Sequence, residues 1–216
     1  MKIAVIGAGN VGGTLGRAWT KAGHTVRFGL PDPTSEKYSA LREEMGNKAL
    51  GTVGEVAADA EVVVLATPWP AVQEAIGQAG NLSGKIVVDC TNPLQPALAG
   101  LTHGHTTSGA ELVAEWAPGA RVYKAFNQTG YENMANPVFP SGRAVIFVAG
   151  DDHGGKEAVL ELAQAVGFEA VDAGPLQNAR LLEPFAMLWI QLAFRLGQGR
   201  GFAFGLLRRD KLGGDS

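Results

Sequence analysis

The chain has 216 residues, enough for one domain with an appendage at the usual ~150 per domain, and 46% of them are hydrophobic against 18% charged. That balance excludes a disordered chain, and 18 Lys+Arg against 21 Asp+Glu, a net charge of -3, lacks the basic excess that wrapping nucleic acid requires. A single cysteine permits neither an intrachain disulfide nor a cysteine-based metal site, so the expected setting is the cytoplasm.

The first apolar run, Ile3 to Ile6, is too short for a signal peptide's hydrophobic region and reads as a strand. Gly7-Ala8-Gly9-Asn10-Val11-Gly12 follows at once, and Val11, Leu15, Ala18 and Trp19 then recur at helical spacing. A G-x-G-x-x-G between a strand and an amphipathic helix is the fingerprint of dinucleotide binding. Gly7 permits the tight turn, Gly9 lets a pyrophosphate approach the backbone, and Gly12 lets helix and strand pack closely, with the helix N-terminus facing the phosphates. The plainer alternative is a glycine-rich turn without a ligand.

A second strand, Thr25 to Gly29, leads into Leu30-Pro31-Asp32-Pro33-Thr34-Ser35-Glu36-Lys37, where the two common dinucleotides are told apart. The signals are mixed. Asp32 suits the ribose hydroxyls of NAD, whereas Thr34, Ser35, Lys37 and Arg27 suit the 2′-phosphate of NADP, and a solvated turn set by two prolines is a third reading.

Further strands are expected at Glu61 to Ala66, Lys85 to Cys90, Arg121 to Phe126, Ala144 to Ala149 and Phe168 to Asp172, with a weaker one near Ala49 to Val53. Several are apolar at successive positions, as strands are when helices cover both faces of a parallel sheet. The fold class is therefore α/β, a Rossmann-type doubly wound, mostly parallel sheet. Residues 1–175 form the dinucleotide-binding domain and 176–216 a small helical C-terminal lobe, with a helix-like apolar stretch from Leu181 to Leu207 and a frayed tail from Arg208. Gln191, Arg195, Gln198 and Arg200 interrupt that stretch, which argues against a membrane span and for packing on the sheet or on a second subunit.

Three strand ends should join the glycine loop at the carboxyl edge of the sheet: Thr67-Pro68-Trp69-Pro70, Asp89-Cys90-Thr91-Asn92-Pro93 and Lys124-Ala125-Phe126-Asn127-Gln128-Thr129. Thr67, Pro68, Asn92 and Pro93 are placed to line a ribose and nicotinamide, and Ala125, Phe126 and Asn127 to border an acceptor pocket. Turn-making and core packing compete with ligand contact at each of these positions, and Trp69 can simply cover the sheet. No hydrolytic motif occurs, no residue is assigned a catalytic proton transfer, and no metal site is expected. His103-Gly104-His105 reads as a solvated loop and Cys90 as a buried small hydrophobe. Hydride transfer suits such a chain, because it needs two ring systems held in contact with water excluded.

These residues resemble the F420-dependent NADP oxidoreductases and the cytosolic reductase domain of the STEAP-type metalloreductases. The resemblance runs from Met1 to about Ala193. It is carried by the glycine loop, the Gly23-His24 turn, Ala66-Thr67-Pro68-Trp69, Lys85-Ile86-Val87-Val88, Thr107 to Glu111, Lys124 to Asn127 and, most specifically, Asp172-Ala173-Gly174-Pro175-Leu176-Gln177-Asn178-Ala179-Arg180. It implies hydride exchange between NADP(H) and a deazaflavin (F420) or flavin stacked on the nicotinamide, in a homodimer joined through the C-terminal helices. Where NADP-binding members carry a Ser-Arg or similar pair, this chain has Leu30 and Pro31, while Lys37 matches a basic position near the 2′-phosphate. NADP(H) is the expected cofactor, with NAD open. Two other functions compete: a reductase of small imines or carbonyls, and a non-catalytic NADPH sensor.

Overall fold

A computed structural model describes residues 1–209; positions 210–216, most of the expected frayed tail, lie outside the described residues. The elements run β1 Lys2–Ile6, α1 Asn10–Lys21, β2 Thr25–Leu30, α2 Ser39–Met45, β3 Leu50–Thr52, α3 Val53–Ala58, β4 Val62–Leu65, α4 Val72–Ala79, β5 Ile86–Asp89, α5 Gly109–Trp116, β6 Arg121–Lys124 and α6 Tyr131–Ala135. The hairpin β7 Val138–Phe139 and β8 Gly142–Arg143 follows, then β9 Val145–Gly150, α7 His153–Val166, β10 Glu169–Asp172 and α8 Ala179–Phe194.

The main sheet has eight strands in the order β10-β9-β6-β5-β4-β1-β2-β3. β1 to β6 run parallel, and β9 joins β6 antiparallel, carrying β10 with it. All eight expected strands are present. The apolar runs look continuous because the two-residue period of a strand shares them between two covered faces. Ile3, Val5, Val62 and Val64 pack under α1, α2, α6 and α7, while Ala4, Ile6, Val63 and Leu65 pack under α3, α4, α5 and the start of α8.

On the first face Trp19 is fully buried. Its indole N–H donates to the Leu162 carbonyl at 3.0 Å, tying α1 to α7, and its ring meets Phe126 edge-on with centroids 5.7 Å apart. The chain order then sets the site: β1 lies between β2 and β4, with connections that leave in opposite directions, so the loops after β1, β2, β4 and β5 open onto one crevice at the carboxyl edge.

The expected helix-like stretch to Leu207 is corrected. α8 ends at Phe194, and Gly197 and Gly199, with φ of +72° and +68°, turn the chain back. The apolar residues beyond it serve packing instead of helix: Phe202 stacks on Trp189 at 5.4 Å, Phe204 lies 4.5 Å from Phe185, and the Phe204 carbonyl accepts from the Val145 N–H at the start of β9. Among the described residues no helix is long and apolar enough to cross a membrane.

Replacing Trp19 removes a large buried ring and leaves the Leu162 carbonyl without its donor. Trp19→Ala is expected to cost about 3–5 kcal/mol of stability in urea denaturation.

Candidate functional site

The glycine loop has three different constraints at its three glycines. Gly7 has φ +99°, and a Cβ there would stand 2.8 Å from the Ala66 carbonyl oxygen. A Cβ on Gly12 would meet the Gly7 carbonyl oxygen at 2.1 Å, so helix and strand close only without one. At Gly9, the N-cap of α1, a Cβ would project into open space. The first hydrogen bond of α1 runs from the Gly13 N–H to the Gly9 carbonyl. The N–H groups of Asn10, Val11 and Gly12 therefore have no helical partner, and no acidic residue occupies the first turn. Beside them at the end of β4, the buried Thr67 hydroxyl has no hydrogen-bond partner among the described residues. Unpaired donors, an unquenched helix dipole and a surface left open by a glycine fit a diphosphate.

After β2 the candidates separate. Leu30 is buried in the core, while Pro31 and Lys37 are exposed. The Asp32 carboxylate accepts from the Thr34 N–H at 3.0 Å and the Thr34 hydroxyl at 2.7 Å, and these bonds hold it below the usual carboxylate range. Ser35 precedes a 3-10 turn over Glu36–Tyr38, and its carbonyl accepts from the Tyr38 N–H without a side-chain cap. Arg27 is corrected as a phosphate ligand: its guanidinium donates to the Lys48 and Glu55 carbonyls, and it lines a groove with Lys2 and Thr25, at the opposite edge of the sheet. Arg42, which sequence reasoning did not single out, reaches back from α2 to donate to the Pro33 and Ser35 carbonyls at 3.0 and 3.1 Å.

The next three loops are braced to one another. Trp69 stands between His103 and Trp116, with centroid separations of 5.9 and 5.5 Å, beside exposed Pro68. Asn92 and Asn127 exchange hydrogen bonds, with the Asn92 amide donating to the Asn127 carbonyl and the Asn127 amide to Asn92 Oδ1, and Asn127 also donates to the Leu182 carbonyl on α8. The Pro93 carbonyl accepts from the Thr102 N–H and hydroxyl. Phe126 has φ +60° and buries its ring against Trp19 and Phe168. The side chains of Phe126 and Ala125 are therefore core residues instead of pocket walls. A cavity of about 420 Å³ does open nearby, between residues 101–105 and the face of α8 bearing Pro184, Met187, Leu188 and Gln191.

Under these loops lies a charge network absent from the sequence reading. Lys124 Nζ, fully buried at the end of β6, contacts Asp89 Oδ2 at 2.6 Å, Glu183 Oε1 at 2.7 Å and the Thr91 carbonyl at 2.9 Å. Asp89 Oδ1 accepts from the Thr91 N–H and hydroxyl, and Glu183 accepts from the Gly109 and Ala110 N–H groups that open α5. Desolvation alone would lower the Lys124 ammonium. The charges of Asp89 and Glu183 and their hydrogen bonds outweigh it and hold the group above the ordinary lysine value. The sequence signal was a lone acid inside the apolar run Leu181-Leu182-Glu183-Pro184-Phe185-Ala186.

The block from Asp172 to Arg180 builds the approach to α8. Asp172 accepts from Lys156 Nζ and the Gly174 N–H, Gly174 turns at φ +84°, and Arg180 grips Glu111 of α5 with two nitrogens, the shortest contact being 2.6 Å. Burial and the neighbouring Asp89 charge push the Cys90 thiol up, so it stays a neutral core group. Among the described residues no three His, Cys, Asp or Glu side chains gather as metal ligands.

Residues 2–93 match the family described as NADP oxidoreductase coenzyme F420-dependent. The chain is 30% identical to the F420-dependent NADP reductase of Methanothermobacter marburgensis, across 89% of its own length and 92% of that protein. It is 28% identical to the metalloreductase STEAP3 of Rattus norvegicus over 84% of its own length but only 36% of that longer protein. Among solved structures, a protein from Arthrobacter sp. FB24, provisionally assigned as an F420-dependent NADP-reductase, superposes with a TM-score of 0.88 at 34% identity, covering 96% of this chain and all of that one.

Removing the cation from the charge network isolates two buried carboxylates. Lys124→Met is expected to lower stability by about 3–5 kcal/mol. Because the folded-state pKa of Lys124 is raised, its contribution is fully present below the ordinary lysine value of about 10.4 and is lost as pH rises through the folded value. Denaturation across the alkaline range is expected to show that loss in the parent chain and not in the variant.

Proposed function

The chain belongs to the F420-dependent NADP oxidoreductase family, and from that premise we propose that it exchanges hydride between the nicotinamide of NADP(H) and a deazaflavin (F420) or flavin ring. One observation carries the nucleotide half of this reading: the unpaired N–H groups of Asn10, Val11 and Gly12 open onto the space in front of Gly9, beside the unpartnered Thr67 hydroxyl. Gly7 and Gly12 shape that cradle, and Gly9 leaves it open. Leu30 and Pro31 begin the loop on which Ser35 and Lys37 would face the adenosine end. Thr67, Pro68, Asn92 and Pro93 would border the ribose and nicotinamide, with Ala125, Phe126 and Asn127 as the supporting layer beneath.

When bound, the nicotinamide supplies the hydride chemistry itself. The chain binds, orients and excludes water. The Asn92–Asn127 exchange ties two loops to each other and to α8 above the charge network, so the rings would meet in a prearranged geometry without a proton-transfer side chain. Residues 1–175 would serve as the nucleotide unit, with α8 and the segment that follows it to residue 209 closing the acceptor side. An outward apolar face on α8 and the turn after it, including Leu181 at 68% and Leu196 at 65% exposure, supports a homodimer through this segment.

The test is titration with NADPH and NADH, then stopped-flow mixing of the reduced complex with F420, FMN and FAD. Rapid oxidation of NADPH by one of the three supports the reading and identifies the acceptor. Tight binding with no oxidation by any of them turns the assignment toward a sensor or a small-substrate reductase. Gly9→Val is expected to abolish dinucleotide binding with an unchanged thermal melt, since its Cβ meets no protein atom; retained binding would remove the cradle. In sedimentation, Leu181→Glu is expected to convert a dimer to a folded monomer.

A further inference from the structure

The loop after β2 carries no cation at the two positions nearest the strand, because Leu30 is buried in the core and Pro31 is apolar. A 2′-phosphate at this edge needs charge-assisted donors from elsewhere. Arg17 is held by Glu44, with its Nε 2.8 Å from both carboxylate oxygens and an amino group at 2.7 Å. Arg27 bonds to carbonyls at the opposite edge. Lys37 is exposed, its ammonium 5.4 Å from the Tyr38 ring, and enters no salt bridge among the described residues.

Arg42 differs from all of these. It is half-buried on the middle of α2, and helical side chains lean back toward the start of their helix, which directs this one to the loop after β2. A single amino group donates to both the Pro33 and Ser35 carbonyls, leaving Nε and the other amino group without an acceptor among the described residues. A guanidinium anchored by one corner presents the remaining donors as a planar fork, the geometry that phosphate accepts. The competing acid is partly engaged. One Asp32 oxygen already accepts two bonds from Thr34, so the carboxylate is not free to clasp a pair of ribose hydroxyls with both oxygens.

We propose that Arg42 binds the 2′-phosphate of NADP(H), beside the Lys37 already placed there by the resemblance, and takes the place of a cation at positions 30 and 31. This rests on the NADP(H) reading above and makes Arg42 a specificity-determining residue held by the loop it supports.

The experiment uses two fragments, 2′,5′-ADP and 5′-AMP, which differ only by the phosphate in question, with affinities measured by calorimetry on the full chain. The parent protein is expected to prefer 2′,5′-ADP. Arg42→Gln, whose amide can still reach a loop carbonyl, is expected to weaken 2′,5′-ADP about tenfold or more while changing 5′-AMP less than about twofold. Arg42→Lys keeps the charge without the fork and should lose less. Parallel losses for both fragments would show that Arg42 only braces the loop, and unchanged affinities would show that it does not meet the phosphate; either overturns the proposal. A parent protein that does not discriminate between the fragments would instead overturn the NADP(H) reading itself, before any variant is considered.

Discussion

A lysine ammonium buried at the end of β6 holds the carboxyl edge of this protein together. Removing one charge from water costs several kcal/mol, and here three are removed, so the arrangement is tolerable only when every partner is in place. Lys124 needs Asp89 from β5 and Glu183 from α8, and Glu183 in turn needs the opening N–H groups of α5 to offset the second carboxylate. A partial assembly would bury an uncompensated charge. The network therefore specifies where α8 crosses the sheet, and with it the cavity beside residues 101–105 and the apolar face α8 turns outward. Arg180 on Glu111 and Asn127 on the Leu182 carbonyl add two further attachments along the same helix.

Two helix N-termini at this edge are put to opposite uses by the same physics. Each presents unpaired N–H groups and the positive end of a dipole. At α5 the protein supplies the anion itself, because Glu183 occupies the first two N–H groups and Ser108 accepts from the Glu111 N–H. At α1 no side chain caps the helix and no acid enters its first turn, while Gly9 keeps the approach clear. The first is a structural joint, and the second is left open, as the proposed diphosphate site requires. What separates them is the presence of a carboxylate within reach.

The loop after β2 is braced from within and from the following helix. A buried leucine and a proline stand where a polar and a basic side chain are expected, and the turn is instead stabilised internally by Thr34 on Asp32 and by Arg42 beneath it. Positive charge reaches this loop from the following helix.

The sequence by itself determined the sheet and the cradle. A strand's period of two under helices on both faces writes the apolar runs of β1, β4, β5 and β9, while the flanking strands were legible from their β-branched content and bounding turns, and the spacing of Gly7, Gly9 and Gly12 reports local backbone demands that any strand-turn-helix of this kind shares. What only the tertiary structure decided depends on partners distant in sequence. Glu183 finds Lys124 59 residues away by chain numbering, Arg42 acquires meaning only from the carbonyls it meets, and Phe126 is turned into the core by a positive φ that its neighbours enforce. Composition could not distinguish Arg27, committed to two carbonyls at the far edge, from Arg42. Nor could it show that the apolar residues after Phe194 fold back onto β9 instead of continuing a helix. Local periodicity records which faces are covered; the identity of the group that covers them is a long-range property, and only folding brings it into contact.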